Sequence, residues 1–342
     1  MTEMGDGVAG SLQARSGAER IGLTTKPTMR GTQMDAVPTA TGIGPVESAT
    51  RPRVTVGLPV YNGADFLREA LDCVLAQTFT DFELVISDNA STDETAAICQ
   101  EYAARDKRIR YLRQPRNIGI SPNHNVLVQH ARGEYFKWFA HDDLIGATML
   151  ERCVRYLDEH PDTALCHVDI GYIDEHADLT GTYTYTAATD DPSAPERFRS
   201  LLRTDGGDDM YGVIRTSVVR AILPWGSHHH EGRVGVAEMA LHGRFHQVPE
   251  LLFFRRDHPG RGDRAPSIRE HCTRLDPRRA HTPTVVLVLE YLLRFFQVVH
   301  RSPLGRRDKV ACYRHLVSWM VTHGLPPRHR RTELAVVDAG LA

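Results

Sequence analysis

No stretch of this chain is apolar for long enough to cross a bilayer, because the nearest candidate, residues 284–299, carries Glu290 and Arg294 in its middle. The amino terminus lacks the uninterrupted apolar core of a signal peptide, since Arg15, Glu19 and Arg20 break it. Neither sign of charge prevails. Forty-one Lys and Arg meet 43 Asp and Glu, so no global field marks nucleic acid as a partner and any anion must be held by local groups. The 6 cysteines form no C-x-x-C pair, and they are expected to be reduced thiols in a cytoplasmic protein. Residues 1–50 contain no Phe, Tyr or Trp; they offer too little apolar surface to offset their ordering entropy and are expected to be a disordered leader.

What is present is an ordinary globular composition, 41% apolar and 25% charged over 342 residues, enough for one large or two modest cores. From Val54 the texture alternates. A β-type run at 54–60 stops at Asn62-Gly63, and apolar pairs at Phe66/Leu67, Ala70/Leu71 and Val74/Leu75 then place one stripe on a helix that Asn62 could cap. The same alternation continues through a strand at 82–87, a helix containing Ile98 and Tyr102, a strand at 109–113, a short helix at 123–130 and an aromatic strand at 135–139. Strands alternating with helices predict an α/β fold with a mainly parallel sheet covered on both faces. Residues 171–195 are expected to be a long loop with an edge hairpin.

In such a sheet ligands bind beyond the carboxyl ends of the strands. Three of those ends are polar: Pro59-Val60-Tyr61-Asn62-Gly63, Ser87-Asp88-Asn89-Ala90-Ser91-Thr92-Asp93 and His141-Asp142-Asp143. The last pair follows an aromatic strand, and hard cations such as Mg²⁺ or Mn²⁺ take one or two carboxylates together with diphosphate oxygens. A bland alternative is that one of the two aspartates caps the next helix.

These residues resemble a family. Val56 to Asn62, Ile86 to Asp93, Arg116-Asn117-Ile118-Gly119 and Ala140 to Asp143 occur in the order and spacing of family 2 glycosyltransferases of GT-A fold, over about residues 53–260. The resemblance implies that Pro59, Tyr61 and Asn62 line a nucleoside pocket, that Asp88 accepts a hydrogen bond from the base, and that Asn117 and Gly119 border the same pocket. It also implies support from Asn125. Asp142 would lie nearest a divalent cation, Mg²⁺ or Mn²⁺, while Asp143 would orient the donor sugar or the loop. His258 could complete the coordination and Arg256 could neutralise phosphate.

Two positions depart from the family pattern. Ala140 stands where the first metal-motif Asp is usual, and Gly232 follows Glu231 where the family carries its catalytic Asp. Glu231 is therefore the expected base, with Glu238 the alternative. His228-His229-His230 are expected in an acceptor-side loop, because three adjacent rings converge poorly on one ion.

The resemblance thus implies an inverting, metal-assisted transfer of a sugar from a nucleotide donor, a UDP-sugar foremost, to a glycan, lipid-linked or small-molecule acceptor. The rivals are a catalytically impaired binding module and, more remotely, a sugar nucleotidyltransferase, whose Gly- and Arg-rich phosphate loop is missing after the first strand. Residues 261–282 are expected to be a linker and 283–342 a helical appendage. No nucleic-acid partner is expected, and peripheral membrane contact is left open.

Overall fold

The computed structural model describes residues 41–42, 51–204, 207–261 and 265–323. Most of the anticipated leader and residues 324–342 lie outside them. The amino-terminal half alternates as expected: β1 (Thr41–Gly42), β2 (Val54–Val60), α1 (Ala64–Leu75), β3 (Phe82–Asp88), α2 (Thr95–Arg105), β4 (Ile109–Arg113), α3 (Ile120–His130) and β5 (Tyr135–Trp138). β3 is buried along its whole length and β2 nearly so, as strands covered on both faces are, with Thr55, Glu83, Ser87 and Asp88 buried among the apolar residues. β2 pairs in parallel with both β3 and β5, and the β2–β3 register sets Val60 opposite Asp88. The ends of the strands therefore finish side by side.

The second half is less regular. It comprises β6 (Leu144–Ile145), α4 (Met149–Glu159), β7 (Thr163–Ile173), β8 (Leu179–Tyr183), α5 (Ala194–Arg203), a 3₁₀ turn (Asp208–Tyr211), β9 (Val213–Arg215), α6 (Thr216–Ile222), α7 (Glu231–Ala240) and β10 (Arg244–Arg256). The sheet runs β1-β4-β3-β2-β5-β9-β7-β10-β6, with β8 hairpinned on β7 as the sequence suggested. It is mixed beyond β5, because β9 pairs antiparallel with both β5 and β7, whereas β10 returns parallel to β7.

Two helical layers enclose the sheet. On one face Leu67 and Leu71 of α1, Ile98 and Cys99 of α2, and Leu150 and Val154 of α4 pack on Val54, Val56 and Leu58. The opposite face holds Leu127, Phe136, Trp138 and Phe198.

The remaining helices, α8 (Ile268–Leu275), α9 (Thr284–Arg301) and α10 (Arg306–His323), change the expected boundaries. The stretch read as a linker contains α8 and a 3₁₀ turn at Pro277–Arg279. Helices α9 and α10 are present as anticipated, yet they do not hang off the domain. Tyr291, Phe295, Cys312, Leu316 and Trp319 belong to the same buried cluster as Trp138 and Phe198. Among the described residues no helix is long and apolar enough to cross a membrane, and all six cysteines are free thiols.

Candidate active site

The turns that end β2 and β3 are knitted to each other. Asn62 sits at φ 50° and Ala90 at φ 63°, conformations that cost free energy outside glycine and persist where neighbours enforce them. The enforcement is visible: the Asn62 amide donates to Ser91 Oγ (2.9 Å), Asn62 Oδ1 accepts from the Thr92 amide (2.8 Å), and the Gly63 amide donates to Thr95 Oγ1 (2.9 Å). Asn62 therefore bridges two strand ends and does not cap α1, whose first amide instead donates to Asp93 Oδ2 (3.1 Å). Tyr61 keeps 45% of its surface exposed beside this bridge.

Asp88 differs from its expected role. It has no exposed surface, and its two oxygens accept from the Ser91 amide (2.8 Å) and the Tyr111 hydroxyl (2.7 Å). It braces the pocket wall from behind, so a base contact is not open to it here. Asn89 Oδ1 accepts from the Ile118 amide (2.8 Å), and its Nδ2 donates to Asn117 Oδ1 (3.0 Å); Asn117 itself is exposed. Pro59 stands opposite Ser87 in the sheet. Gly119, at φ 94°, cannot be replaced without strain, because a Cβ there would lie 2.5 Å from the Leu275 carbonyl oxygen. α8 thus closes over the Asn117–Gly119 loop. Asn125 exchanges hydrogen bonds with the backbone of Trp225 (2.7 and 3.2 Å), supporting that turn and not the nucleoside pocket.

The third strand end meets the first two through Gly63, where a Cβ would come within 2.3 Å of the His141 ring. Beyond His141 the two aspartates divide their work. Asp142 is partly accessible, and its Oδ2 lies 2.9 Å from Nε2 of His258, itself partly accessible. Burial opposes ionisation of Asp142, but His141, the His258 hydrogen bond and Arg261 outweigh it and hold the carboxyl below its usual range. Asp143 is buried, accepts from the Arg256 amide (3.0 Å), and is pushed up to about 7 by burial and by the charge of Asp142. Its contact orients the loop. Beneath it lies Lys137, a lysine the sequence reading did not single out; it is wholly buried, donates to the Tyr211 carbonyl, and is pushed down to about 8 by burial.

Arg256 does not reach toward a phosphate. It is fully buried, with Nε donating to the Asp142 carbonyl (2.9 Å), its terminal nitrogens to the Asp174 and Glu175 carbonyls (3.2 and 2.8 Å) and to Glu69 Oε2 (2.6 Å). It clamps the Asp142 loop. Arg261, half-buried, donates to the Arg256 carbonyl (3.0 Å), and its charge bears on both aspartates.

Glu231 opens α7 after His230, a left-handed residue at φ 54°. Its Oε2 lies 3.2 Å from Nε2 of His271 in α8, and its charge bears on the half-buried His124 of α3. Beside it Gly232 faces open space, with nothing within 4 Å of where a Cβ would stand. Glu238 is elsewhere: buried, it accepts from Arg301 of α9 (2.7 Å), and burial raises its carboxyl against the pull of that arginine. Its role is to tie α7 to α9. The neighbouring histidines form no metal centre, and among the described residues no group of three or more His, Cys, Asp or Glu converges as one.

Three parallel strand ends knitted around an exposed tyrosine, with an accessible aspartate–histidine pair carried by β5 and β10, place the chain among α/β folds of the GT-A type. Residues 55–217 match the profile of Glycosyl transferase family 2. An uncharacterised glycosyltransferase of Rickettsia typhi is 34% identical over 108 residues, covering 32% of this chain and 33% of that protein. The uncharacterised glycosyltransferase EpsJ of Bacillus subtilis is 32% identical over 109 residues, 32% of this chain and 31% of the relative. The chain spans about a third of the length of these curated relatives. Among solved structures, S. aureus TarS superposes with a TM-score of 0.56 at 16% identity, over 79% of this chain and 44% of TarS. Its 1–349 fragment in complex with UDP-GlcNAc gives 0.51 at 15% identity, over 84% of this chain and 97% of the fragment. These likenesses concern the fold.

Proposed function

We propose that this chain transfers a hexosyl group from a UDP-sugar to an acceptor hydroxyl with inversion at the anomeric carbon. The observation that carries the reading is the Asp142–His258 pair, the accessible acid and imidazole where the Tyr61–Asn62 turn meets the third strand end. In this arrangement Tyr61 packs on the base, Pro59, Asn62, Asn117 and Gly119 line its surroundings, and Asp88 holds their scaffold. The complex of the TarS fragment with UDP-GlcNAc supports the choice of donor.

Asp142 Oδ2 and His258 Nε2 are two donor atoms on one side of the crevice, a set that fits a Mg²⁺ or Mn²⁺ ion taking its other ligands from diphosphate and water. Such an ion supplies charge stabilisation for the leaving nucleoside diphosphate. Arg261 adds a positive charge that bears on both aspartates. Glu231 receives the acceptor proton, and His271 orients its carboxylate. Free thiols throughout the described chain support a reducing, cytoplasmic setting.

Gly232 and Ala140 favour a second reading, a module that binds a nucleotide sugar or glycan without turning it over. A panel of nucleotide sugars, followed by thermal shift and by donor turnover with and without Mn²⁺, separates the two. Stabilisation by one donor with cation-dependent turnover supports transfer, and stabilisation without turnover supports the binder.

A further inference from the structure

We infer that the outward face of the α9–α10 hairpin is a docking surface for an anionic lipid bilayer. The two helices are joined by a short turn at 302–305, and the stacking of Phe296 on Tyr313 (6.0 Å between centroids) sets them side by side. Each buries one face, through Leu287, Tyr291, Phe295 and Val298 on α9 and Cys312, Leu316 and Trp319 on α10. Opposite those faces the helices are expected to be polar. They are not. Val285, Val286, Leu289 and Leu293 of α9 and Val310, Val317 and Val321 of α10 are exposed, Val321 by 79%; they are seven of the nine large exposed apolar residues described in this chain. Stacking Phe296 on Tyr313 in an antiparallel pair brings Leu293 and Leu289 level with Val317 and Val321, so the two stripes form one patch.

Charge decides the occupant. Arg306, Arg307 and Arg314 are exposed on the same outward arc of α10, and no described carboxylate pairs with them; the ammonium of Lys309 rests on the His300 carbonyl (2.7 Å). The one acid of α10 is Asp308. The sequence beyond the helix adds Arg328, Arg330 and Arg331 against Glu333 and Asp338. A second copy docked through this same face would bring more of the same charge onto the patch. Anionic headgroups neutralise it, while the valines and leucines enter the boundary between headgroups and acyl chains and the arginine stems lie along it.

The test needs neither donor nor turnover, so it stands apart from the transferase reading. The full chain is sedimented with phosphatidylcholine vesicles prepared with and without phosphatidylglycerol. Binding should require phosphatidylglycerol and weaken with salt. It should fall more than about tenfold in a triple variant carrying Arg306→Gln, Arg307→Gln and Arg314→Gln, since each basic residue near the surface contributes roughly a factor of five. The pair Val317→Glu and Val321→Glu should abolish it; all five positions are exposed, and circular dichroism verifies that the variants fold. Absence of binding to phosphatidylglycerol vesicles overturns the assignment, as does equal binding to neutral ones. A dimer that dissociates in the valine variants, without vesicle binding, overturns it in favour of a second copy.

Discussion

At the scale of single residues, carboxylates that look alike in sequence occupy different electrostatic situations. Asp142 is the acid that a ligand can reach, so Asp142→Ala should abolish donor turnover and remove any enhancement of UDP binding by Mn²⁺ while leaving cation-free UDP binding in place. Calorimetry with and without Mn²⁺ measures this, and full turnover in excess EDTA would exclude a required cation. Asp88, in contrast, is spent inside the fold. Asp88→Ala should cost about 1.5–3 kcal/mol of stability, the scale of a hydrogen bond to a charged group, read by urea unfolding. A folded Asp88→Asn protein of unchanged stability that loses UDP affinity would return the residue to base recognition. For the base, Glu231→Gln should lower turnover by roughly 100- to 10,000-fold at unchanged UDP affinity, whereas Glu238→Gln should weaken the Arg301 contact and the melting temperature, not the chemistry.

At the scale of elements, the sheet is secured at the end remote from the crevice by one buried acid. Glu83, at the second position of β3, accepts from Thr55 Oγ1 (2.7 Å), the Arg132 amide (2.9 Å) and Nε (2.8 Å), and Arg110 (3.0 Å). Burial disfavours its charge, but the hydrogen bonds from Thr55, Arg132 and Arg110 prevail and hold its carboxyl below the usual glutamate range. Removing it strands the donors of β2 and of the turn after α3. Glu83→Ala should cost about 3 kcal/mol, the lower end for a buried charge pair, since both arginines are partly in water. The pH dependence has a definite sign: a depressed folded value means the unfolded chain binds more protons just below the ordinary glutamate range, so this contribution is present above it and is lost as pH falls through the folded value. Melting curves of Glu83→Gln should therefore show a shallower acid limb than those of the wild type.

At the scale of the whole molecule, the question is whether the carboxyl-terminal helices are a separate unit. Phe295 is buried and meets Phe198, Tyr291 and Trp319 at centroid distances of 6.2, 5.3 and 5.8 Å. If α9 shares one core with the sheet, Phe295→Ala should cost about 3–5 kcal/mol and shift a single unfolding transition followed alike by tryptophan fluorescence and circular dichroism. Two separated transitions, with the variant moving only one, would mean that α9 and α10 unfold independently.

What the sequence determined by itself was local and periodic. Apolar-rich runs such as 54–60 and 82–87, interrupted by few polar residues, specify strands covered on both sides, and the four- and three-residue spacing of Leu67, Leu71 and Val74 specifies one buried helix face. The polar residues that end those strands then had to lie at one edge of the sheet, which made the Tyr61–Asn62, Asn89 and Asp142 turns legible before any coordinates. Burial of individual charges was decided only in three dimensions, because it depends on partners remote in the chain. Arg256 is closed off by Glu69, Asp174 and Glu175, Asp88 by Tyr111, and Glu238 by Arg301. Nothing local distinguishes such residues from Asp142, which keeps its access to solvent. The segment 261–282 misled for a related reason: its Pro and Arg content describes a loop, yet the Ser267 side chain caps α8 at the Glu270 amide (3.1 Å), and the Gly119 loop supplies the surface against which that short helix is held.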